Sequence, residues 1–249
     1  MQNFFNIFNK LHNKLIALGF FTILFLPSCT WNTADRDPYA NSTALQIHEE
    51  ATTHLKKGRY ELSSKSYEAL ETHYPFGDIT TKAQLEIIYA YYKDQEYLQS
   101  ITAAERFLRL HPLNQNADYA HYMKGIAYFE QNKNFINKIF TINPALRDIN
   151  SYQLAFNNFK TIVQSYPNSP YAKDSRAYMV YIRNLIAEHE LAVAKYYVDR
   201  EAYLAAANRA RYVLEHLPNT PAEAPALELL DKMYSKLQLT PVLKSKSSA

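Results

Sequence analysis

Apolar positions along this chain recur at helical spacing and are punctuated by proline. Pro75, Pro112, Pro167 and Pro218 each end an apolar stretch. Fifteen residues before each stands a tyrosine: Tyr60, Tyr97, Tyr152 and Tyr203. Twelve before stands a small residue, Ser63, Ser100, Ala155 or Ala206, and five before a bulky apolar one, Leu70, Phe107, Ile162 or Val213. Tyrosine, small residue and bulky residue fall on one face of a helix. The small residue lets a second helix approach closely. Proline lacks an N–H and restricts the residue before it, so it stops the helix just past its end.

A first helix is predicted ahead of each of these second helices: Leu45 to Lys57, Lys82 to Lys93, Asp118 to Asn132, and a long stretch from Tyr171 to Asp199. Gly125 and Tyr128, like Ala194 and Tyr197, set a small residue three before a tyrosine. Paired antiparallel helices repeating in this way match the tetratricopeptide pattern. The spacing between the prolines is uneven. An insertion at about Lys133 to Asn150, broken by Asn143-Pro144, lengthens the third unit. After Pro218, Leu227, Leu230, Tyr234 and Leu237 return at helical spacing as a capping helix. The fold class expected is all-α: a tetratricopeptide-type α-solenoid of about four to five hairpins over residues 44–240, with a disordered tail at 241–249.

Composition narrows the function. Only 4 glycines occur, far apart, which leaves no phosphate-cradling loop. Tyrosine is abundant, at 21, and suits both helix packing and protein-binding surfaces. The formal charge is +3, and two of the positives, Lys10 and Lys14, lie in the acid-free N-terminal segment. The remainder holds 25 basic against 24 acidic residues, without the basic excess that nucleic acid requires.

Lys10 and Lys14 precede an apolar run, Leu15 to Leu26, too short to span a bilayer and suited to a secretory signal. Leu26-Pro27-Ser28-Cys29 follows. Leu at −3, a small residue at −1 and Cys at +1 resemble the bacterial lipobox, from which Pro27 at −2 departs. Residues 1–28 are thus expected to be removed and 29–43 to form a lipidated tether. Cys29, the sole cysteine, is expected to carry diacylglycerol and an N-acyl chain, with no other cofactor. Thr30, where an aspartate would favour inner-membrane retention, points to the outer membrane.

No catalytic constellation stands out, and no enzyme or metal site is expected. His48-Glu49 opens like a zinc-protease helix, but Thr52 occupies the place of the second histidine. Glu188-His189-Glu190 reads as a solvated charged patch. No Gly-x-Ser-x-Gly elbow is present.

Several runs carry a family likeness. Tyr74-Pro75-Phe76-Gly77 is followed by Ala83-Gln84-Leu85-Glu86-Ile87-Ile88-Tyr89-Ala90-Tyr91-Tyr92-Lys93. Further on stand Arg106 to Pro112, Tyr166 to Ser169, Ala194 to Tyr197, and Asn208-Arg209. The chain from about residue 44 to 238 resembles the BamD family, lipoprotein subunits of the β-barrel assembly machinery. Two departures are His73, where the family has Arg, and Asn143-Pro144, which replaces a charged pair while Arg147-Asp148 is kept.

The resemblance implies a non-enzymatic scaffold on the periplasmic face of the outer membrane, touching the membrane through its lipid alone. It implies as partners the periplasmic domains of the barrel-forming subunit, accessory lipoproteins, and unfolded outer-membrane proteins. Tyr74, Phe76, Tyr89 and Tyr92 are the implied substrate contacts and Arg209 the implied partner contact. Arg209 lies among small residues, so it must be solvated or paired. Its reversal to Glu is expected to weaken partner binding with melting temperature nearly unchanged. A general periplasmic chaperone or adaptor lipoprotein is the alternative reading.

Overall fold

The computed structural model describes residues 37–131 and 149–238. The signal segment, Cys29, most of the insertion and the C-terminal tail lie outside the described residues. Among the described residues there are nine helices and no strand: α1 (Ala44–Lys56), α2 (Tyr60–His73), α3 (Asp78–Lys93), α4 (Tyr97–Leu110), α5 (Ala117–Glu130), α6 (Ile149–Ser165), α7 (Ala172–Val198), α8 (Tyr203–His216) and α9 (Glu223–Lys236). Each packs on its neighbours in sequence, giving the hairpins α1/α2, α3/α4, α5/α6 and α7/α8, with α9 closing against α8 and α7. The first helices of adjacent hairpins also meet, α1 with α3 and α3 with α5. Helix α3 begins four residues before its expected start because Gly77, at φ 119°, turns the chain directly into Asp78.

The proline-counted positions are the packing core. Ser63, Ser100, Ala155 and Ala206 are fully buried, and so are Leu70, Ile162 and Val213, with Phe107 nearly so. The bulky residue also accepts the last helical bond. The N–H groups of Tyr74, His111, Tyr166 and Leu217 donate to the carbonyls of Leu70, Phe107, Ile162 and Val213 at 2.8–2.9 Å. Each donor immediately precedes the proline. Its φ near −130° in three of the four lies outside the helical range, which a following proline disfavours.

The turn inside the first, second and fourth hairpins recurs as well. Gly58, Gln95 and Glu201 all have φ near +60 to +70°. The next residue's N–H reaches back five places, Arg59 to His54, Glu96 to Tyr91 and Ala202 to Tyr197. This is the Schellman closure. Of these three, the first alone gives that left-handed position to glycine. At its N-terminus, α1 has a capping box: Gln46 N–H donates to Thr43 Oγ1 at 3.3 Å, and Thr43 N–H to Gln46 Oε1 at 2.8 Å.

A continuous apolar cluster occupies the C-terminal half, from Ile126 to Met233. Phe159 stacks on Tyr178 at 4.8 Å, and Phe129 meets Tyr178 edge-on at 5.2 Å. Gly125 makes room for this arrangement. A Cβ there would stand 2.8 Å from Phe159 Cε1.

Candidate functional site: an aromatic cleft against the third helix

Helix α3 carries the run 83–93. Ala83, Ile87, Ile88 and Ala90 are buried. Leu85, Glu86 and Tyr89 instead line a cleft of about 470 Å³. Leu55 of α1, Tyr119 of α5 and Tyr171 before α7 complete its apolar lining, with Gln115, Asn116 and Asp118 along the polar side. Tyr171 stacks on Tyr122 at 4.6 Å and meets Tyr119 at 5.8 Å. These rings are held by the neighbouring core, so the cleft is preformed. It offers aromatic faces, aliphatic carbons, side-chain amides and two carboxylates. None of the lining residues is a Ser, Cys, His or Lys that would supply a nucleophile and its base.

Glu86 ties the cleft to the helices behind it. Its Oε2 lies 2.7 Å from His48 Nε2 and accepts from Tyr67 Oη at 2.9 Å. The Tyr67 hydroxyl also lies 3.3 Å from Thr52 Oγ1. Burial, more than the neighbouring carboxylate, pushes the Tyr67 phenol well above its usual range. The histidine that opened like a zinc-protease helix is thus a buried partner of a glutamate. Among the described residues no group of three or more His, Cys, Asp or Glu could hold a metal. Two further pairs brace the first two hairpins: Tyr91 of α3 donates to Glu68 of α2, and Arg106 of α4 to Glu71 of α2.

The sequence-derived residues separate into three places. Tyr89 lines the cleft, with Lys93 Nζ 6.0 Å from its ring centre. Tyr92 lies one turn on, 6.5 Å from Tyr89, but is partly buried between Tyr97 and the C-terminal core. Burial raises its phenol to about 12. Tyr74 and Phe76 lie in the loop before α3, at the opposite end of that helix. The Tyr74 hydroxyl donates to the Ser42 carbonyl at 2.8 Å, while Phe76 is open to solvent. Arg209 is on α8, where its Nη1 donates to Glu190 Oε2 at 3.0 Å.

That last contact corrects the expectation of a solvated patch at 188–190. Glu188 is exposed, but Glu190 is buried. Helix α7 is 27 residues long, and position 190 faces α8. The carboxylate is satisfied there by Arg209, whose side chain stays 46% exposed against 8% for Glu190. Leu85, Glu86, Tyr119 and Tyr171 escaped the sequence reading as site residues. Leu85 and Glu86 were signalled only by their place in the run 83–93, and Tyr119 and Tyr171 only by the density of tyrosine.

Residues 40–249 match the family model YfiO, outer membrane lipoprotein. The chain belongs to this family. Among its relatives, the "Outer membrane protein assembly factor BamD" of Pasteurella multocida is 39% identical over 194 residues, 78% of this chain and 75% of its own. Proteins of the same name from Vibrio cholerae and Neisseria gonorrhoeae are 38% and 37% identical, over 78% and 89% of this chain and 81% and 83% of theirs. A tetratricopeptide repeat protein from Parabacteroides merdae aligns over 78% of this chain and 73% of its own, at a TM-score of 0.39 and 12% identity. The fold assignment rests instead on the helix pairing described above. Like the family, the chain is a lipid-anchored outer-membrane protein. Among the described residues no helix is long and apolar enough to cross a membrane.

Proposed function

We propose that this lipoprotein is an assembly factor for outer-membrane β-barrel proteins, working as a scaffold that holds other chains. Its first three hairpins receive an extended segment of an unfolded barrel protein in the cleft walled by Leu85, Tyr89, Tyr119 and Tyr171. The cleft carries this reading. Barrel strands are rich in aromatic residues at the membrane edges, and a ring from such a strand fits among these tyrosines. The C-terminal half, with Arg209 on its surface, holds a periplasmic domain of the barrel-forming subunit, and accessory lipoproteins join the same assembly. Tyr92 supports Tyr89 from behind. Tyr74 holds the entry to α1.

Binding of barrel-derived peptides, with and without their terminal aromatic residue, tests this proposal. Tyr89→Ala together with Tyr119→Ala is expected to weaken the aromatic peptide by roughly 5- to 150-fold, given about 0.5–1.5 kcal/mol for each lost ring contact. The truncated peptide should change little. Equal loss for both peptides would favour a general periplasmic chaperone. No loss for either would remove the cleft as the site.

A further inference from the structure

The first two hairpins expose apolar side chains that the fold leaves uncovered. Phe76 is 90% exposed and Leu113 97%, and each directly follows a helix-ending proline. Leu45, Tyr74 and Leu110 are exposed too. All five stand at one end of the hairpins: the start of α1, the α2–α3 loop, and the end of α4 with the loop after it. Two contacts hold that end together. Tyr74 Oη bonds Ser42, and His111 Nε2 lies 2.7 Å from Gln84 Oε1. In the later hairpins the residues after the proline are Asn168 and Asn219. Among the described residues, the apolar tips that follow a helix-ending proline therefore belong to the first two units.

The chain enters its fold at this same end, through Ser42 and the Thr43 cap. Cys29 stands thirteen residues before Ser42, so the tether reaches at most about 45 Å. The bilayer that holds the lipid lies within that reach. Flanking charge is mixed, with Arg109 and Lys82 against Glu49 and Asp78, all exposed. Headgroup attraction is therefore weak, and any contact must come from the apolar tips.

We infer that Phe76 and Leu113, supported by Leu110, insert into the interfacial layer of the membrane that holds the anchor. An acyl anchor tethers a protein without orienting it. A ring and an aliphatic chain on two adjacent loops supply a second point of contact, as apolar side chains do at bilayer interfaces. The solenoid then stands with this end on the bilayer. The inference rests on lipidation at Cys29, and membrane contact is no longer through the lipid alone.

The test uses the full lipidated chain in vesicles of phosphatidylethanolamine and phosphatidylglycerol with brominated acyl chains. Trp31→Phe removes the sole tryptophan, and Phe76→Trp, Leu113→Trp or Asn168→Trp installs one reporter at a time. Flotation with the vesicles verifies the anchor independently. Reporters at 76 and 113 should be quenched several-fold more than the one at 168, with blue-shifted emission. Equal, weak quenching at all three positions in floated protein would overturn the inference. So would a reporter at 76 that responds only when an unfolded barrel protein is added, which would make the tip a peptide contact.

Discussion

The first two hairpins and the last two have the same geometry but are held together by different chemistry. In the N-terminal pair the small residue at the helix crossing is a serine. Ser63 Oγ donates to the Ala51 carbonyl and Ser100 Oγ to the Ile88 carbonyl, each at 2.9 Å. Around them His48, Glu86, Tyr67 and Thr52 form a polar network. In the C-terminal pair the small residues are Ala155 and Ala206, set in a continuous apolar cluster. A repeat thus fixes the distance between helices and leaves open how that distance is held. Hydrogen bonds hold it where one side faces the cleft. Aromatic stacking holds it where the interior is closed.

Overpacking the closed half should have the largest effect. Ala155→Trp, at a fully buried crossing, is expected to cost about 3 kcal/mol or more, read as a large fall in melting temperature. Gly125→Ala tests the same region more gently, since its new Cβ drives Phe159 against Tyr178, at about 1–3 kcal/mol. Unchanged stability in both would mean that the C-terminal stack yields as readily as a loose core.

A charge change at the Glu190–Arg209 ion pair of the closed half comes next. Arg209→Glu leaves Glu190 unpaired beside a second carboxylate. The cost should be roughly 1–3 kcal/mol, reduced because Arg209 is half exposed. This replaces the expectation of a neutral reversal. Partner binding by this variant must therefore be compared with a Glu190→Gln, Arg209→Gln double variant. If the double variant regains stability but not affinity, Arg209 serves the partner as well as the fold.

The smallest effect is expected in the open half. Ser63→Ala or Ser100→Ala loses one hydrogen bond to a carbonyl that keeps its helical donor, about 0.5–1.5 kcal/mol by denaturant titration. A loss as large as that at Ala155 would show that the two halves are held more alike than their chemistry suggests.

The fold was legible because its signal is local and repeated. Counting back from four prolines located the buried small and bulky residues, and all of them are in the core. The turns were less legible. Gln95 and Glu201 adopt the conformation that glycine gives at position 58, and no sequence pattern marks them. The cleft was hardest to read, since Leu55, Tyr89, Tyr119 and Tyr171 converge from distant parts of the chain. Nor does the triplet Glu188-His189-Glu190 reveal which carboxylate turns inward. Arg209, the residue that decides it, is 19 positions away on the next helix.

The bond from Tyr74 to Ser42 has a mechanical consequence. Tension on the lipid anchor enters the fold at Ser42 and runs into α1 from its first turn. There the Thr43–Gln46 capping box and the Tyr74 hydroxyl, which ties the start of α1 to the end of α2, resist together. The clip reinforces the junction between tether and solenoid, as suits a protein that handles bulky chains while anchored to a membrane.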